Sequence, residues 1–523
     1  MHHTACAHAR RSKRQRIAIL AGLVSLLWFL VRVIPKPSRA AYPCQRAAAP
    51  LASGFIVWLI GLFSAKALHR KLAAAANRSH YALAGAVLLA IAVAIWLPLG
   101  VTWQAEAQDP FVPSDAPNSP IGVGKGIFPG RVVWAHEPTA ARWDGKTGDW
   151  WDDANTDQRL VTTMLSDSVR SLTAKTTDKQ AWDALFRDFN KTHGGGDAGY
   201  RVGEKIAVKI NENQNRSGTW TTGQAVPSPH MVYALVAQLI EVAGVHGGDI
   251  SVYDASRVIG EPIVRKIRSN HDPEFQAVRF VAGRPGSTGQ IAAEPDMTAS
   301  VHFADPAVPE AYLPKTVTEA KYLINFALLR AHILFGVTLT AKNHFGEVFF
   351  PNNGGWTPSP LHRFGGRTRP PGTYNCLVDL IGHKQLGGKT LLYLIDGLYP
   401  GEHNETRVTR FASFDGQWAA SLFASQDPVA IDSVGLDFLR NEPKETQVRG
   451  TADAYLHEAA LANKPPSGVV YDPCKEGKPL ASLGVHEHWN NATDRKYSRN
   501  LGKSEGIELL RLPVSKTNVA SVR

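Results

Sequence analysis

The chain has 523 residues, more than one hydrophobic core usually serves, so we expect more than one structural unit. Its net charge of +11 first suggests a nucleic-acid partner, but residues 1–103 hold 13 Lys and Arg and no acidic residue. The remaining residues contain 44 Lys and Arg against 46 Asp and Glu. A basic groove for nucleic acid therefore has no support, and no nucleic-acid partner is expected.

Three apolar segments in residues 1–103 predict a membrane anchor of three transmembrane helices. Each approaches the roughly 20 residues that a bilayer-spanning helix needs, and they cover residues 17–34, 47–65 and 80–101. The leader and the second loop together carry nine Lys and Arg and the first loop carries three, and basic residues stay in the cytoplasm during insertion. We therefore expect a multi-pass protein of the inner (cytoplasmic) membrane with its C-terminal domain in the periplasm or outside. A re-entrant middle segment, which contains Pro50 and Gly54, would instead return that domain to the cytoplasm.

The part that follows the anchor divides into a linker and a folded domain. Residues 104–130 are rich in Pro, Gly and Ser without any period, which indicates a linker. From residue 131 to residue 523 the composition is globular, and we expect a single α/β domain there.

A strand–helix–strand unit defines the expected fold. The β-rich run 206–210 precedes a helix that begins at the Ser228–Pro229 pair and ends at Gly244, and a second strand covers 249–254. This arrangement is typical of a βαβ crossover. The fold class is therefore predicted to be α/β, with a mostly parallel sheet and flanking helices. Later apolar runs repeat the pattern at 322–326, 390–396 and 418–424, each with polar residues at its C-terminal end.

Polar side chains after the first strand are the first candidate site residues, because ligands bind outside the carboxyl ends of strands in open α/β sheets. Lys209, Asn211 and Asn213 are predicted to bind a small anionic or sugar-like ligand, although an Asn-rich stretch also forms ordinary turns. Asp254, at the end of the second strand, fits a ligand contact or, more simply, a helix cap.

The stretch from Asn325 to Gly346 concentrates polar residues in an otherwise apolar segment. Burying so many polar groups costs free energy unless they find partners, so their density favours a site. We expect His332 and Asn343 to contact the substrate, and Lys342 and His344 to bind or protonate it. Asp396 closes an apolar strand, and Asp432 lies in the first turns of an apolar helix. Both Asp residues are predicted to act as a base or to bind a divalent cation, although Asp396–Gly397 also fits a plain turn.

His486 and His488 are the candidate metal ligands. Two His residues at positions i and i+2 share a face of a strand and can bind one divalent metal ion, although a loop with a single hydrogen-bonded His is an equally simple interpretation. The chain lacks the HExxH spacing of zinc proteases, the GxSxG elbow and the GxxxxGK[ST] loop. Four cysteines are too few for a disulfide framework, and their spacing leaves a Cys376–Cys474 bridge open.

Several separated motifs resemble the domain of unknown function 362 family. They are LINFALLRAH, TLTAKNHFG, SQDPVAIDSVGLDF and GVHEHWNNATDRKYSRNLG, together with the βαβ unit that begins at VKINENQ. The resemblance covers about residues 130–510 and implies an α/β fold, but no reaction. It points to Lys209, Asn211, His332, Lys342, Asn343, His344, Asp427 and Asp432. Some relatives carry ferredoxin-like cysteine clusters, which this chain lacks, so no iron–sulfur cluster is expected.

Two functions fit these observations. The first is a membrane-anchored extracytoplasmic enzyme that acts on a small anionic substrate by acid/base or metal-assisted chemistry. The second is a non-catalytic protein for solute binding or cell-envelope assembly, which uses the same polar strand ends to hold a solute.

Overall fold

The computed structural model describes residues 113–284, 289–364, 371–446, 448 and 452–512. The three predicted membrane segments lie outside these residues. Within them, no helix combines the length and the apolar character needed to cross a bilayer.

The strands of these residues are short except for two that run through the centre of the fold. In chain order they are β1 (Ile121–Gly122), β2 (Arg131–His136), β3 (Ile206–Lys209), β4 (Ile250–Asp254), β5 (Arg279–Ala282), β6 (Ile291–Ala292), β7 (Pro295–Val301), β8 (Ala311–Pro314), β9 (Tyr322–His332), β10 (Gly336–Thr338), β11 (Phe349–Phe350), β12 (Gly355–Trp356), β13 (Thr390–His403), β14 (Ser421–Ser425), β15 (Val485–His486) and β16 (Glu508–Arg511).

The α-helices of the described residues flank these strands. They are α1 (Gln158–Thr173), α2 (Asp178–Thr192), α3 (Pro229–Ala237), α4 (Glu261–Arg268), α5 (Pro273–Ala277), α6 (Lys315–Thr318), α7 (Thr340–Asn343), α8 (Cys376–Gly382), α9 (Pro428–Arg440) and α10 (Ala454–Ala460). Short 3₁₀ turns connect several of them.

A mixed sheet forms the centre of the domain. Its strands lie in the order β16-β2-β14-β13-β9-β3-β4-β5-β6, and β10 pairs with the end of β9. Every pairing from β13 to β6 along this order is parallel. The pairs β13–β14 and β14–β2 are antiparallel. The α/β prediction is therefore confirmed, with a mixed sheet flanked by helices.

The predicted βαβ unit is present with the expected start and stop signals. The side chain of Ser228 accepts a hydrogen bond from the backbone N–H of Met231, and Pro229 occupies the first helical position. The helix continues as a π-helical turn over Gln238–Val242 and ends before Gly244, whose φ of 74° suits glycine. Strands β3 and β4 then pair in parallel.

Strand β14 runs opposite to its neighbour β13, so its polar end does not join the other polar ends. Ser425 pairs with Tyr393 near the start of β13. Asp427 follows at that edge, where its Oδ1 accepts hydrogen bonds from the N–H groups of Val429 (3.0 Å) and Ala430 (2.8 Å). Asp427 is therefore the N-cap of α9.

The described part of the predicted linker is packed against the domain. β1 pairs antiparallel with β15. The N–H groups of Lys125 and Ile127 donate to Asp427 Oδ2 (2.8 Å) and to Gln426 Oε1 (3.0 Å). The folded unit thus extends to the N-terminal side of residue 131, and residues 113–130 belong with it.

Two hydrophobic layers cover the two faces of the central sheet. One includes Leu377 of α8 and Leu436 of α9, and the other includes Leu165 of α1 and Leu235 of α3. Cys376 is buried and Cys474 is half-buried, and the two form no disulfide bond with each other.

Candidate functional site

A cleft lies at the carboxyl ends of β3, β4 and β9, and we call it the Lys209 cleft. The chain proceeds from β3 to β4 and β5 on one side, while β9 occupies the other side of β3. Strand order thus reverses at β3, and such switch points are where open α/β sheets bind ligands. Six of the predicted site residues line this cleft, namely Lys209, Asn211, Asn213, His332, Lys342 and Asn343.

Lys209 and Asp254 form a buried ion pair at the base of the cleft. Nζ of Lys209 lies 3.3 Å from Oδ2 of Asp254 and 3.2 Å from Oδ1 of Asn343. Burial opposes ionisation of Asp254, but the positive charges of Lys209 and Arg257 outweigh it and lower the pKa of the carboxyl. A Cβ at residue 346 would lie 2.7 Å from Oδ1 of Asp254 and 2.7 Å from Nζ of Lys209, so a larger residue there would displace this pair.

The Lys209 ammonium has no hydrogen left for a ligand. Its third hydrogen bond goes to the carbonyl oxygen of Ile210, at 2.5 Å, beside those to Asp254 and Asn343. An ammonium group has three donors, so the protein itself occupies all of them. Lys209 therefore contributes charge and position rather than a direct ligand contact.

A chain of amide groups fixes the wall of the cleft. Oδ1 of Asn343 accepts from Nδ2 of Asn211 (3.1 Å), and its Nδ2 donates to Oδ1 of Asn325 (2.8 Å). Oδ1 of Asn211 accepts from the Arg330 guanidinium at 2.5 Å. Arg330 is fully buried, and its Nε has no hydrogen-bond partner within the described residues. Burial lowers the pKa of this guanidinium to about 10.

Lys342 differs from Lys209 because no carboxylate among the described residues pairs with it. Its ammonium lies 3.6 Å from the ring centre of Phe345 and 4.7 Å from that of Phe335. The side chain makes no ion pair or hydrogen bond in the part of the chain that the structure describes. Burial lowers the pKa of Lys342 well below its ordinary value, and the nearby positive charges of Arg330 and Arg257 lower it further. The uncharged amine is thereby favoured.

Two histidines stand beside Lys342. Nδ1 of His332 accepts hydrogen bonds from the N–H groups of Leu334 (3.0 Å) and Phe335 (3.2 Å), so its proton is on Nε2. The rings of His332 and His362 are stacked with centroids 6.0 Å apart. Burial lowers the pKa of His332 well below its usual value and that of His362 to about 3.

The cleft has an excess of positive charge in a small space. Arg257 lines it, and Asp254, the carboxylate that lines it, is already paired with Lys209. The free volume is about 30 Å³, which is room for about two water molecules. The arrangement suits one anionic group, either a small ion or the charged end of a larger molecule.

His344, predicted to be catalytic, lies behind the cleft and has both ring nitrogens occupied. Nε2 lies 3.1 Å from Nδ2 of Asn325, which can only donate, so Nε2 accepts and the proton is on Nδ1. That proton is donated to Oε2 of Glu347 at 2.5 Å. Glu347 also accepts a hydrogen bond from the hydroxyl group of Tyr253. The structure gives His344 a positioning role in place of direct contact.

Asp432 also lies away from the cleft lining, where it caps the helix that carries Lys342. Its two oxygens accept from the N–H groups of Thr340 (2.8 Å) and Ala341 (3.0 Å), and the hydroxyl groups of Thr340 and Tyr455 donate as well. These are the unpaired N–H groups at the start of α7. Asp432, which belongs to α9, therefore holds the start of α7 in place.

Asp396 binds backbone groups inside the sheet. Oδ2 accepts from the N–H of Ser228 (2.8 Å) and Oδ1 from that of Leu398 (3.0 Å). Burial raises the pKa of its carboxyl to about 6. It is not among the residues that line the cleft, so it fastens the start of α3 to β13.

His486 and His488 lie in a different cluster. Their ring centroids are 4.8 Å apart, and His457 approaches His486 to 5.0 Å. Asp115 lies beside His486, and Asp453 lies beside His488. This cluster is separate from the Lys209 cleft in its residues and in the elements that carry them.

Three residues of the cleft region are not among the site residues that the sequence predicts. Arg257 follows Asp254 closely, so its place after a strand end is a usable signal. Arg330 stands inside an apolar run, where a charged residue is equally conspicuous. His362 follows no strand pattern, and no sequence signal connects it to His332.

Comparison with known proteins gives one match. The family model described as Domain of unknown function (DUF362) matches residues 206–437. No curated protein and no solved structure matches the chain. The matched segment contains the whole lining of the Lys209 cleft but none of Asp115, His457, His486 and His488.

Proposed function

Because this chain belongs to the DUF362 family through residues 206–437, and the family's description names no activity, we propose a function from the geometry of the Lys209 cleft. The protein is an enzyme that binds a small anionic substrate, or the carboxylate or phosphate end of a larger one, in this cleft. Lys342 transfers a proton during the reaction.

The observation that carries this proposal is the unneutralised Lys342. A buried lysine without a carboxylate partner is costly, because it either keeps an unpaired charge or gives up its proton, and groups perturbed in this way cluster at functional sites. An entering anion would supply the missing partner. It would accept hydrogen bonds from Lys342 and from Nε2–H of His332, within reach of the charge of Arg257.

The same environment suits proton transfer. Burial favours the uncharged amine of Lys342, which can accept a proton. An anionic ligand next to it stabilises the ammonium and so drives that uptake. The fixed amides of Asn211 and Asn343 hold the ligand-binding wall rigid, which keeps the reacting groups in position.

We also propose where this enzyme lies in the cell. The three apolar segments in residues 1–103 and the distribution of basic residues support an enzyme anchored in the cytoplasmic membrane with this domain on the outer side. A substrate would then be a small anion of the periplasm or the exterior.

The test uses the full-length protein in detergent. Inorganic phosphate and a panel of small carboxylates are titrated calorimetrically against the wild type, Lys342→Met and Lys464→Met, where Lys464 is an exposed control. Each carboxylate that binds is then incubated in D₂O, and exchange of its C–H protons is followed by NMR. We expect binding and exchange in the wild type and the control, and loss of exchange in Lys342→Met.

The outcomes separate the two candidate functions. Binding that weakens in Lys342→Met, without exchange or other turnover in any variant, would favour the non-catalytic solute-binding protein. Equal anion binding by Lys342→Met and the wild type would refute the assignment of the cleft.

A further inference from the structure

Three side chains from distant parts of the sequence converge beside β15. Oδ2 of Asp115 lies 2.7 Å from Nε2 of His457 and 3.9 Å from Nε2 of His486. All three atoms lie within 4.8 Å of one another. Ligand atoms held about 2.1 Å from one tetrahedral ion are about 3.4 Å apart, so small side-chain movements bring these atoms onto one ion.

His486 has a buried nitrogen that the protein leaves unused. The ring is fully buried, and its Nε2 has no hydrogen-bond partner in the described part of the chain. Its Nδ1 lies 2.8 Å from Oγ of Ser433, whose single proton is donated to the carbonyl oxygen of Val429 at 2.7 Å. Ser433 must therefore accept from Nδ1–H of His486. Nε2 is left with a bare lone pair directed at Asp115 and His457.

His488, which lies next to Asp115, His457 and His486, also has one ring nitrogen held by a neighbour and the other left unused. Its Nε2 also lacks a hydrogen bond among the described residues and lies 3.9 Å from Oδ2 of Asp453. Its Nδ1 lies 2.6 Å from Oδ1 of Asp437, which the hydroxyl group of Tyr497 fixes in turn through Oδ2. Metal-binding histidines are typically oriented by a carboxylate or hydroxyl group on the other ring nitrogen in this manner.

We propose that Asp115, His457 and His486 bind one divalent ion of a first-row transition metal, with His488 and Asp453 adjacent to it. Two imidazoles and one carboxylate suit Zn²⁺ and its neighbours, whereas Ca²⁺ and Mg²⁺ prefer oxygen ligands. A simple ion pair between Asp115 and His457 is the alternative, but it leaves the bare Nε2 of His486 unexplained.

The site is open to solvent on one side. The side chain of Asp115 is 28% exposed and that of His457 is 14% exposed, whereas His486 is fully buried. An ion can therefore enter past Asp115 and His457 and keep a water-accessible position. This site uses none of the cleft residues, so it adds a second centre beyond the proposed function.

The test measures zinc bound by the full-length protein in detergent after chelator treatment and dialysis. The leader contains His2, His3, Cys6 and His8, which also bind Zn²⁺, so every variant keeps the leader intact. Zn²⁺ is titrated and the bound metal is quantified by elemental analysis for five proteins. They are the wild type, Asp115→Asn, His486→Ala, Ser433→Ala and the exposed-site control His246→Ala.

We expect the wild type and His246→Ala to bind one more Zn²⁺ per chain than Asp115→Asn and His486→Ala. Ser433→Ala keeps that ion with affinity weakened about 10- to 100-fold, because only the orientation of the ligand is lost. Zn²⁺ raises the thermal midpoint of the wild type but not that of His486→Ala. Co²⁺ gives visible absorption bands in the wild type that His486→Ala lacks.

Equal zinc content in the wild type, Asp115→Asn and His486→Ala would overturn the proposal. Asp115→Asn keeps the test valid if His486→Ala fails to fold, because Asp115 is partly exposed and its replacement has nearly the same shape. A stabilisation by Ca²⁺ or Mg²⁺ equal to that by Zn²⁺ would overturn the assignment of a transition metal.

Discussion

Replacing Glu212 by Gln should remove a large part of the pH dependence of stability. Glu212 is fully buried, with Oε1 accepting the N–H of Gly260 at 2.9 Å and Oε2 without a hydrogen bond among the described residues. Burial, together with the negative charge of Asp254, raises its pKa from 4.5 to about 8. Since each pKa unit corresponds to about 1.4 kcal/mol, the rise from 4.5 to about 8 destabilises the fold by about 4–5 kcal/mol at pH 8.

Stability falls as pH rises because the folded state binds a proton that the unfolded state releases. Between pH 4.5 and about 8 the folded state holds a proton on Glu212 that the unfolded state has released, so stability falls as pH rises through this window. Gln keeps the acceptor for Gly260 and has no charge to lose. Glu212→Gln should therefore match the wild type near pH 4.5 and be more stable at pH 8.

Thermal unfolding of the full-length protein in detergent measures this difference. For a domain of about 400 residues the unfolding entropy is about 0.8 kcal/mol/K, so 5 kcal/mol corresponds to about 6 °C. The midpoint of Glu212→Gln should exceed that of the wild type by about this amount at pH 8 and by little at pH 5. The exposed variant Glu505→Gln serves as the control. A gap between Glu212→Gln and the wild type that is the same at both pH values would refute the reasoning.

Two further predictions concern the cleft and the orientation of the domain. Gly346→Ala should separate Lys209 from Asp254, weaken anion binding and lower stability by about 1–3 kcal/mol, whereas Gly248→Ala, with open space around its Cβ, should change neither. Calorimetric titration with the anion that binds best checks this, and unchanged affinity in Gly346→Ala would contradict it. In a variant without Cys6 and Cys44, a membrane-impermeant maleimide should label half-buried Cys474 on intact bacterial cells and label buried Cys376 only after unfolding. Labelling of Cys474 only after permeabilisation would place the domain in the cytoplasm.

The elements that follow from local chemistry could be predicted from the sequence. Ser228–Pro229 and Asp427–Pro428 start helices because a capping oxygen and a proline act within four residues of each other. The polar residues after β3 and near the end of β9 meet because parallel strands bring their carboxyl ends to one edge. Lys209, Asn211, His332, Lys342 and Asn343 line the same cleft for this reason.

Features that depend on contacts between distant segments could not be predicted in this way. The direction of β14 depends on its partner strands, and an apolar run has no direction of its own. Asp115 and His457 carry no local signal, because they approach His486 only when both ends of the domain are folded. Residues 113–130 have a linker-like composition, yet the backbone N–H groups of Lys125 and Ile127 donate to the side chains of Asp427 and Gln426 and attach this segment to the domain.

Helix α9 shows why polar residues in an apolar helix need the tertiary structure for their interpretation. Asp432 and Ser433 are consecutive and so point about 100° apart, while Ser433 and Asp437, four residues apart, share a face. One side of α9 caps the helix that carries Lys342, and the other holds His486 and His488. The helix is buried on all sides, so each of these polar groups must find a partner on a different neighbour. The sequence makes Asp432 a candidate catalytic residue, because a carboxylate in an apolar helix needs a partner. In the structure the N–H groups at the start of α7 are that partner, so Asp432 positions the helix that carries Lys342.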